Sequence, residues 1–103
     1  MTAPSPAEAG HEIDREVSGS KGRYVIRQDG AVAELTYSIL SPTKIIADHT
    51  GVPDTLQNRG IGAALVQRLV ADARAEGFKI VPLCPFVNGW RRRHPDAADV
   101  FDV

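Results

Sequence analysis

One stretch of helical periodicity runs through the second half of the sequence, from residue 60 to residue 76. Its apolar side chains recur at intervals of three and four, so they share one side of a helix, while Arg68 and Asp72 lie on the other. The apolar positions are Ile61, Leu65, Val66, Leu69, Val70 and Ala73. Gly77 follows, and glycine commonly ends a helix because it adopts left-handed backbone angles. Because most helices of this kind depend on tertiary packing, the rest of the chain has to supply the apolar surface that covers it.

The segments before this helix predict an antiparallel sheet. Residues 24–27 form a short β-rich run, and residues 31–39 alternate apolar with polar side chains at the period of a half-buried strand. Asp29 and Gly30 lie between the two runs and favour the positive φ angles of a tight hairpin turn. Residues 44–52 predict a third antiparallel strand, which Pro53 ends because proline cannot donate to a ladder.

The segments after the helix predict one more strand and a second helix. Residues 79–84 form a β-rich run, so the helix is expected to cross from one strand to another. Residues 86–94 suggest a short helix that Pro95 stops, and residues 97–103 a final turn. The predicted fold class is α+β, with a mainly antiparallel sheet, one central helix and a short C-terminal helix.

Composition divides the chain into a tail and one domain. The chain has 103 residues, which suffice for a single core. Residues 1–20 carry four acidic side chains and one basic side chain among small residues and prolines, so we expect a disordered acidic tail there. Residues 21–103 are expected to fold. A domain this small buries little surface, so we expect a monomer or weak homodimer in which dimerisation or a ligand adds stability.

Several classes of function are excluded by the same inventory. No apolar run approaches the roughly 18 residues of a membrane span, and no basic segment with an apolar stretch opens the chain, so a cytoplasmic protein with no membrane partner is predicted. Residues 21–103 carry an excess charge of +2, too little to predict nucleic-acid binding. The single cysteine, Cys84, precludes an internal disulfide, and the three histidines have no metal-ligand spacing, so no metal is expected.

Two glycines open the predicted helix and indicate an anion site. The first turn of a helix has N–H groups with no intrahelical partner and a partial positive charge, and glycines allow a phosphate to come close. A P-loop is excluded because Gly62 precedes two alanines instead of Lys and Ser or Thr. A dinucleotide fingerprint is excluded because Leu65 stands where a third small residue is needed. The alternative to an anion site is a tight turn into the helix that binds no ligand.

The pattern Gln-x-x-Gly-x-Gly over residues 57–62, with Val52 eight residues before the first glycine, resembles the acyl-CoA site of the GNAT N-acetyltransferase superfamily. Together with residues 49–52, residues 81–87 and residues 93–95, it resembles the small single-domain branch of that superfamily, over residues 24–103. The resemblance implies a compact GNAT-like fold that uses acetyl-CoA as cosubstrate. It implies cofactor contacts from Val52, Gln57, Asn58, Arg59, Gly60, Ile61, Gly62 and Ala63.

Catalytic candidates are few. Larger members of the superfamily often place a tyrosine near the departing thiolate, whereas the matching position here resembles Trp90, whose indole is only a donor. Cys84 follows the strand after the cofactor helix and could carry the acetyl group covalently, or be a buried small hydrophobe. His49 precedes the pantetheine segment and could act as a base, or hydrogen-bond a strand neighbour. His94 is expected to bond terminal carbonyls of a helix.

The resemblance also implies an open acceptor side, which fits a bulky acceptor or a pocket completed by a second subunit better than an enclosed metabolite. Larger GNAT enzymes insert two helices between their first two strands, whereas here only a tight turn separates the first predicted pair. The favoured function is an acetyl-CoA-dependent N-acetyltransferase acting on an amine acceptor, including a protein lysine or N-terminus. The alternatives are a catalytically silent CoA-binding module and a small interaction module. Residues 91–93 either reach the adenosine phosphates or form a solvated face.

Overall fold

A computed structural model describes residues 11–103. Five strands form one sheet in the order of the sequence. They are β1 (Asp14–Ser18), β2 (Lys21–Gln28), β3 (Ala31–Ser41), β4 (Lys44–Gly51) and β5 (Lys79–Pro82). The helices are α1 (Ile61–Glu76) and α2 (Pro85–Arg93), with 3-10 turns at Asp54–Leu56 and Pro95–Val100. The first four strands are antiparallel and β5 pairs parallel with β4, so α1 makes the crossover expected of it.

The predicted fold class is therefore confirmed, and so is the hairpin between β2 and β3. Asp29 and Gly30 have φ angles of 52° and 76°, the positive values that their tight turn requires. Leu35 and Tyr37 are buried on the inner face of β3, toward α1, while Thr36 between them points to the other face. The strand that follows α1 ends at Pro82, two residues earlier than predicted.

One prediction about the N-terminus is wrong. Residues 1–20 were expected to be a disordered tail, but Asp14–Ser18 form the edge strand β1 against β2. The part of that tail from residue 1 to residue 10 lies outside the described residues. The sheet therefore has four antiparallel strands instead of three, and the two-residue turn between β1 and β2 contains Gly19 in a left-handed conformation.

Charged side chains hold β1 in place. Arg15 points to the same face as α1 and donates to the Tyr37 hydroxyl at 3.2 Å and to Asp72 at 3.2 Å, and it also pairs with Glu76. Tyr24 donates to the same Asp72 carboxylate at 2.7 Å. Burial and the hydrogen bond to Asp72 raise the pKa of Tyr24 well above its usual value, so this phenol stays protonated. β1 is therefore held by its pairing with β2 and by side chains of α1 that lie more than fifty residues away in the sequence.

The core lies between α1 and the sheet. Every apolar position of α1 that the periodicity predicted is buried. Side chains from β2 to β5, from α2 and from the C-terminal turn complete the same cluster, in which Leu56 and Val87 are fully covered. The C-terminal segment runs beside β5, where the Asp102 amide donates to the Ile80 carbonyl at 2.8 Å. This core fixes the start of α1 beside the end of β4.

Candidate functional site

A groove of about 620 Å³ lies where β4 ends and α1 begins. One wall of the groove is formed by the end of β4 and the segment that follows it, including Val52. The opposite wall is the first turn of α1. Phe86 of α2 also lines the groove, and Leu56 forms part of its buried floor. The lining residues are Thr50, Gly51, Val52, Leu56, Gln57, Asn58, Gly60, Ile61, Gly62, Ala63 and Phe86. Of the eight residues predicted to bind the cofactor, seven line this groove and Arg59 does not.

The backbone at the start of α1 presents donors to the groove. Gly60 caps the helix with a φ of 75°, and Asn58 also has a positive φ, 63°. Among the described residues, the first intrahelical bond runs from the Ala64 amide to the Gly60 carbonyl at 2.9 Å. The amides of Ile61, Gly62 and Ala63 therefore have no backbone acceptor and carry the partial positive charge of the helix end. This is the geometry that binds a phosphate or diphosphate.

Two polar side chains of the predicted set shape the loop. The Gln57 amide nitrogen lies 3.3 Å from the Val52 carbonyl oxygen and 3.4 Å from an Asp54 carboxylate oxygen, so it ties the loop back to the end of β4. The Arg59 guanidinium pairs with Asp29 in the β2–β3 turn at 2.6 Å. The side chain of Arg59 is thus directed away from the groove, and its backbone lies in the short loop that leads into α1.

The sheet opens beside the groove. Pairing between β4 and β5 ends at Ala47 opposite Pro82, and the Cys84 amide still donates to the Ala47 carbonyl at 2.8 Å. Beyond that point β4 continues to Gly51 with no β5 partner, so its main-chain groups on this edge are available to a ligand. An amide-rich arm such as pantetheine suits such an edge, because each of its amides can pair with the strand.

A β-bulge decides which side chains of β4 face the groove. Tyr37 pairs with Ala47 but Thr36 pairs with His49, so Asp48 is an extra residue in β4. Past the bulge, Thr50 points toward the groove and α2, and His49, its neighbour in an alternating strand, points to the opposite face. His49 is exposed there. The two predicted catalytic residues, Cys84 and His49, therefore lie on opposite faces of β4.

Cys84 lies immediately before α2 and is buried, with 2% of its surface exposed. Its Sγ is 3.4 Å from the Thr50 hydroxyl, which lines the groove. The cationic side chains of α2 lie farther from this sulfur. Residues 91–93 form the last turn of α2, about 10 Å or more along the helix. His94 stacks on Trp90, with ring centroids 4.0 Å apart, and its Nδ1 lies 2.8 Å from the Trp90 carbonyl oxygen, as expected of a residue that stabilises a helix end.

Phe86 and Thr50 line the groove, although the sequence predicted no role for either. Phe86 packs against the first turn of α1 so closely that a Cβ at Gly62 would lie 2.6 Å from its ring. Gly62 is thus required by packing as well as by any ligand. The signal that could have found this contact is the pairing of a glycine in the helix start with an aromatic residue at the next helix start. Trp90, at the position where the resemblance implied a tyrosine, is buried and does not line the groove.

Together, a mainly antiparallel sheet that opens between two parallel strands and a helix start that faces this opening give the compact GNAT-like fold that the sequence predicts. Residues 23–100 match the family model of the GCN5-related N-acetyl-transferases. The chain also resembles the NMR solution structure of a GCN5-like protein from Staphylococcus aureus, described as a candidate N-acetyltransferase. The two sequences are 31% identical, the match covers 86% of this chain and 87% of the other, and the TM-score is 0.67.

The chain therefore belongs to the GCN5-related N-acetyl-transferase family, which indicates an acetyltransferase. The superfamily that the sequence motifs indicated is thus confirmed. A search of the curated proteins found no match. Among residues 11–103, no helix has both the length and the apolar character that a membrane crossing requires.

Proposed function

We propose that this protein is an acetyl-CoA-dependent N-acetyltransferase with an open acceptor side. The observation that carries the proposal is the row of unpaired amides at Ile61, Gly62 and Ala63, which face a groove beside the unpaired edge of β4. The amides would hold the diphosphate, and the edge from Thr50 to Val52 would pair with pantetheine. Charge-assisted bonds from two or three amides would together contribute about 3–9 kcal/mol, against the roughly 8 kcal/mol of a micromolar affinity, and pantetheine would supply the remainder.

The acetyl group would reach the protein near Cys84. In the covalent route, the Cys84 thiolate attacks the thioester carbonyl, the bond from that carbonyl to the coenzyme sulfur breaks, and the coenzyme thiolate takes a proton. The acceptor amine then attacks the new thioester, gives up a proton and releases the Cys84 thiolate. The Thr50 hydroxyl, 3.4 Å from Sγ, is the nearest polar side-chain partner that the structure shows for this sulfur.

His49 supports a second route, direct transfer. Its side chain is exposed on the face of β4 opposite the groove, where an amine that enters through the gap between β4 and β5 could lose its proton to the imidazole. The two routes assign the two residues different duties. Cys84 would carry the acetyl group, whereas His49 would only accept a proton.

The experiment is intact-mass spectrometry after incubation with acetyl-CoA, followed by transfer assays on a panel of amines and lysine peptides. A gain of one acetyl group that maps to Cys84, lost in Cys84→Ala, supports the covalent route. Full transfer by Cys84→Ala together with loss in His49→Gln supports the direct route. If acetyl-CoA binds and no acceptor in the panel is acetylated above the uncatalysed rate, the protein is not an acetyltransferase for this class of acceptor.

A catalytically silent CoA-binding module is the second candidate, and one observation favours it. None of the described residues that line the groove has a titratable side chain, and Cys84 is buried beneath Thr50. This candidate predicts that calorimetry detects acetyl-CoA binding as in the first candidate. It also predicts that neither the wild type nor any Cys84 or His49 variant transfers the acetyl group above the uncatalysed rate. Catalysed transfer to any amine would exclude it.

The acceptor that fits best is a protein lysine or N-terminus. Tight turns, at Gly19-Ser20 and at Asp29-Gly30, join β1 to β2 and β2 to β3, so no helices enclose an acceptor between these strands. An open surface suits a bulky acceptor better than an enclosed metabolite.

A further inference from the structure

The solvent side of α2 joins the groove to a basic patch. Val87 and Trp90 of this helix are buried in the core, which leaves Phe86, Gly89 and Arg93, three to four residues apart, along an outer face. Phe86 lines the groove and is 41% exposed. The face therefore starts apolar at the groove and ends basic at the last turn of α2.

The arginines at this end differ from the others in the chain. Within residues 11–103, no carboxylate lies in ion-pair range of Arg91, Arg92 or Arg93, and Arg91 is bonded through Nε to the side chain of Asn88. Each of the remaining arginines pairs with at least one carboxylate; these are Arg15, Arg23, Arg27, Arg59, Arg68 and Arg74. A helix C-terminus attracts cations, but it leaves the outward guanidinium groups without an anion. Positive charge that the protein does not neutralise is concentrated here.

Gly89 keeps the middle of this face flat. A glycine inside a helix costs about 1 kcal/mol relative to alanine, so its place in a nine-residue helix needs a reason. The Arg93 Nη1 atom lies 3.5 Å from the position that a Cβ of Gly89 would take. The guanidinium thus lies back along α2 toward Phe86, over a stretch with no side chain in the way.

We propose that the outer face of α2, formed by Phe86, Gly89, Arg92 and Arg93 and here called the α2 face, docks an acidic segment of a protein acceptor. This inference rests on the proposed function, because it takes the acceptor to be a protein. An apolar side chain of the segment packs against Phe86, and its carboxylates bind the guanidinium groups of Arg92 and Arg93, whose planar forks suit carboxylates.

The geometry sets the spacing of the acceptor sequence. Arg92 is six residues from Phe86, or about 9 Å along a helix, and an extended peptide covers that distance in about three residues. Acidic residues are therefore expected about three positions from the apolar residue that packs against Phe86, with the lysine that enters the site on the other side of that residue. A nucleic acid suits this surface less well, because the chain has a net charge of −1 and the patch is short.

The test compares two fluorescent peptides, Lys-Phe-Gly-Glu-Asp and its neutral analogue Lys-Phe-Gly-Gln-Asn, by fluorescence anisotropy at low salt. We expect the wild-type protein to bind the acidic peptide at least tenfold more tightly than the neutral one. The double variant Arg92→Gln with Arg93→Gln removes that preference. Lys21→Gln with Lys44→Gln, which removes two charges elsewhere on the surface, keeps it within twofold.

Three results would overturn the proposal. The first is that the preference for the acidic peptide survives in the arginine double variant. The second is that a thymidine oligonucleotide of equal charge binds the wild type as tightly as the peptide does. The third is that calorimetry shows a tenfold loss of acetyl-CoA affinity in the double variant, which would assign the arginines to the cofactor. Peptide binding needs no turnover. Loss of transfer with intact peptide preference would therefore count against the acetyltransferase and not against the α2 face.

Discussion

The two ends of α1 offer a matched pair of substitutions that separates cofactor binding from stability. Gly60 at its start and Gly77 at its end have φ angles of 75° and 78°, and at neither position does any protein atom lie within 4 Å of where a Cβ would be. Alanine at either site is therefore strained by its backbone alone, at about 1–2 kcal/mol. For a domain of this size, that cost lowers the Tm by roughly 4–16 °C, and by a similar amount for both variants.

Binding of acetyl-CoA should differ between them. In Gly60→Ala the loop relaxes away from positive φ and withdraws at least one amide from the diphosphate, and a charge-assisted bond is worth about 1.5–3 kcal/mol. We expect acetyl-CoA affinity to fall roughly 10- to 100-fold. Gly60→Val should bind acetyl-CoA still more weakly, because the valine side chain would project into the space that the diphosphate is proposed to occupy. Gly77→Ala leaves the groove intact, so its affinity should stay within twofold of wild type.

Isothermal titration calorimetry with acetyl-CoA, below the Tm of each variant, measures the affinities, and circular dichroism measures the Tm. Wild-type affinity in Gly60→Ala would refute the assignment of the start of α1 to the diphosphate. Equal losses of affinity in Gly60→Ala and Gly77→Ala would show instead that binding follows the general stability of α1.

Three further predictions concern stability. Gly22→Ala puts a Cβ into the ring of Tyr37, which is buried, so the free energy of unfolding in urea should fall by about 1–3 kcal/mol; an unchanged value would mean that the ring moves freely. Arg15→Gln removes the contacts that tie β1 to α1 and should cost about 1–2 kcal/mol and expose the β1 amides to hydrogen exchange, whereas continued protection would show that backbone pairing alone holds the strand. Arg74 binds the Asp99 carboxylate through two nitrogens, and these hydrogen bonds lower the pKa of Asp99 below 3.8. The stability that this ion pair contributes is therefore complete above that value and is lost as the pH falls through the lower pKa of the folded state. Between pH 7 and pH 2.5 the Tm should fall more steeply in wild type than in Asp99→Asn, and parallel curves would contradict this.

Local patterns in the sequence predicted the elements that depend on local physics. The periodicity of α1 and the Asp29-Gly30 turn are each readable within a few residues. The edge strand β1 was missed because its composition is that of a tail, and the contacts that tie it to α1 come from residues distant in the sequence. Arg15 is ordered by Asp72 and Glu76 across the sheet, and a composition rich in charge and small residues conceals that.

The candidate site was predictable in its backbone and not in its side chains. The spacing of Gly60 and Gly62 predicted where the groove lies, because the amides that face it belong to the main chain at a helix start. Whether Cys84 and His49 lie on the same side of β4 depends on the bulge at Asp48. A bulge inserts one extra residue into a strand, and the local sequence here does not predict it. The conclusion that these two residues lie on opposite faces of β4 required the structure.

The contact between Phe86 and Gly62 makes the beginnings of the two helices a single mechanical unit. Because Cys84 immediately precedes α2, the same contact sets where the residue that carries the thiol lies relative to the first turn of α1.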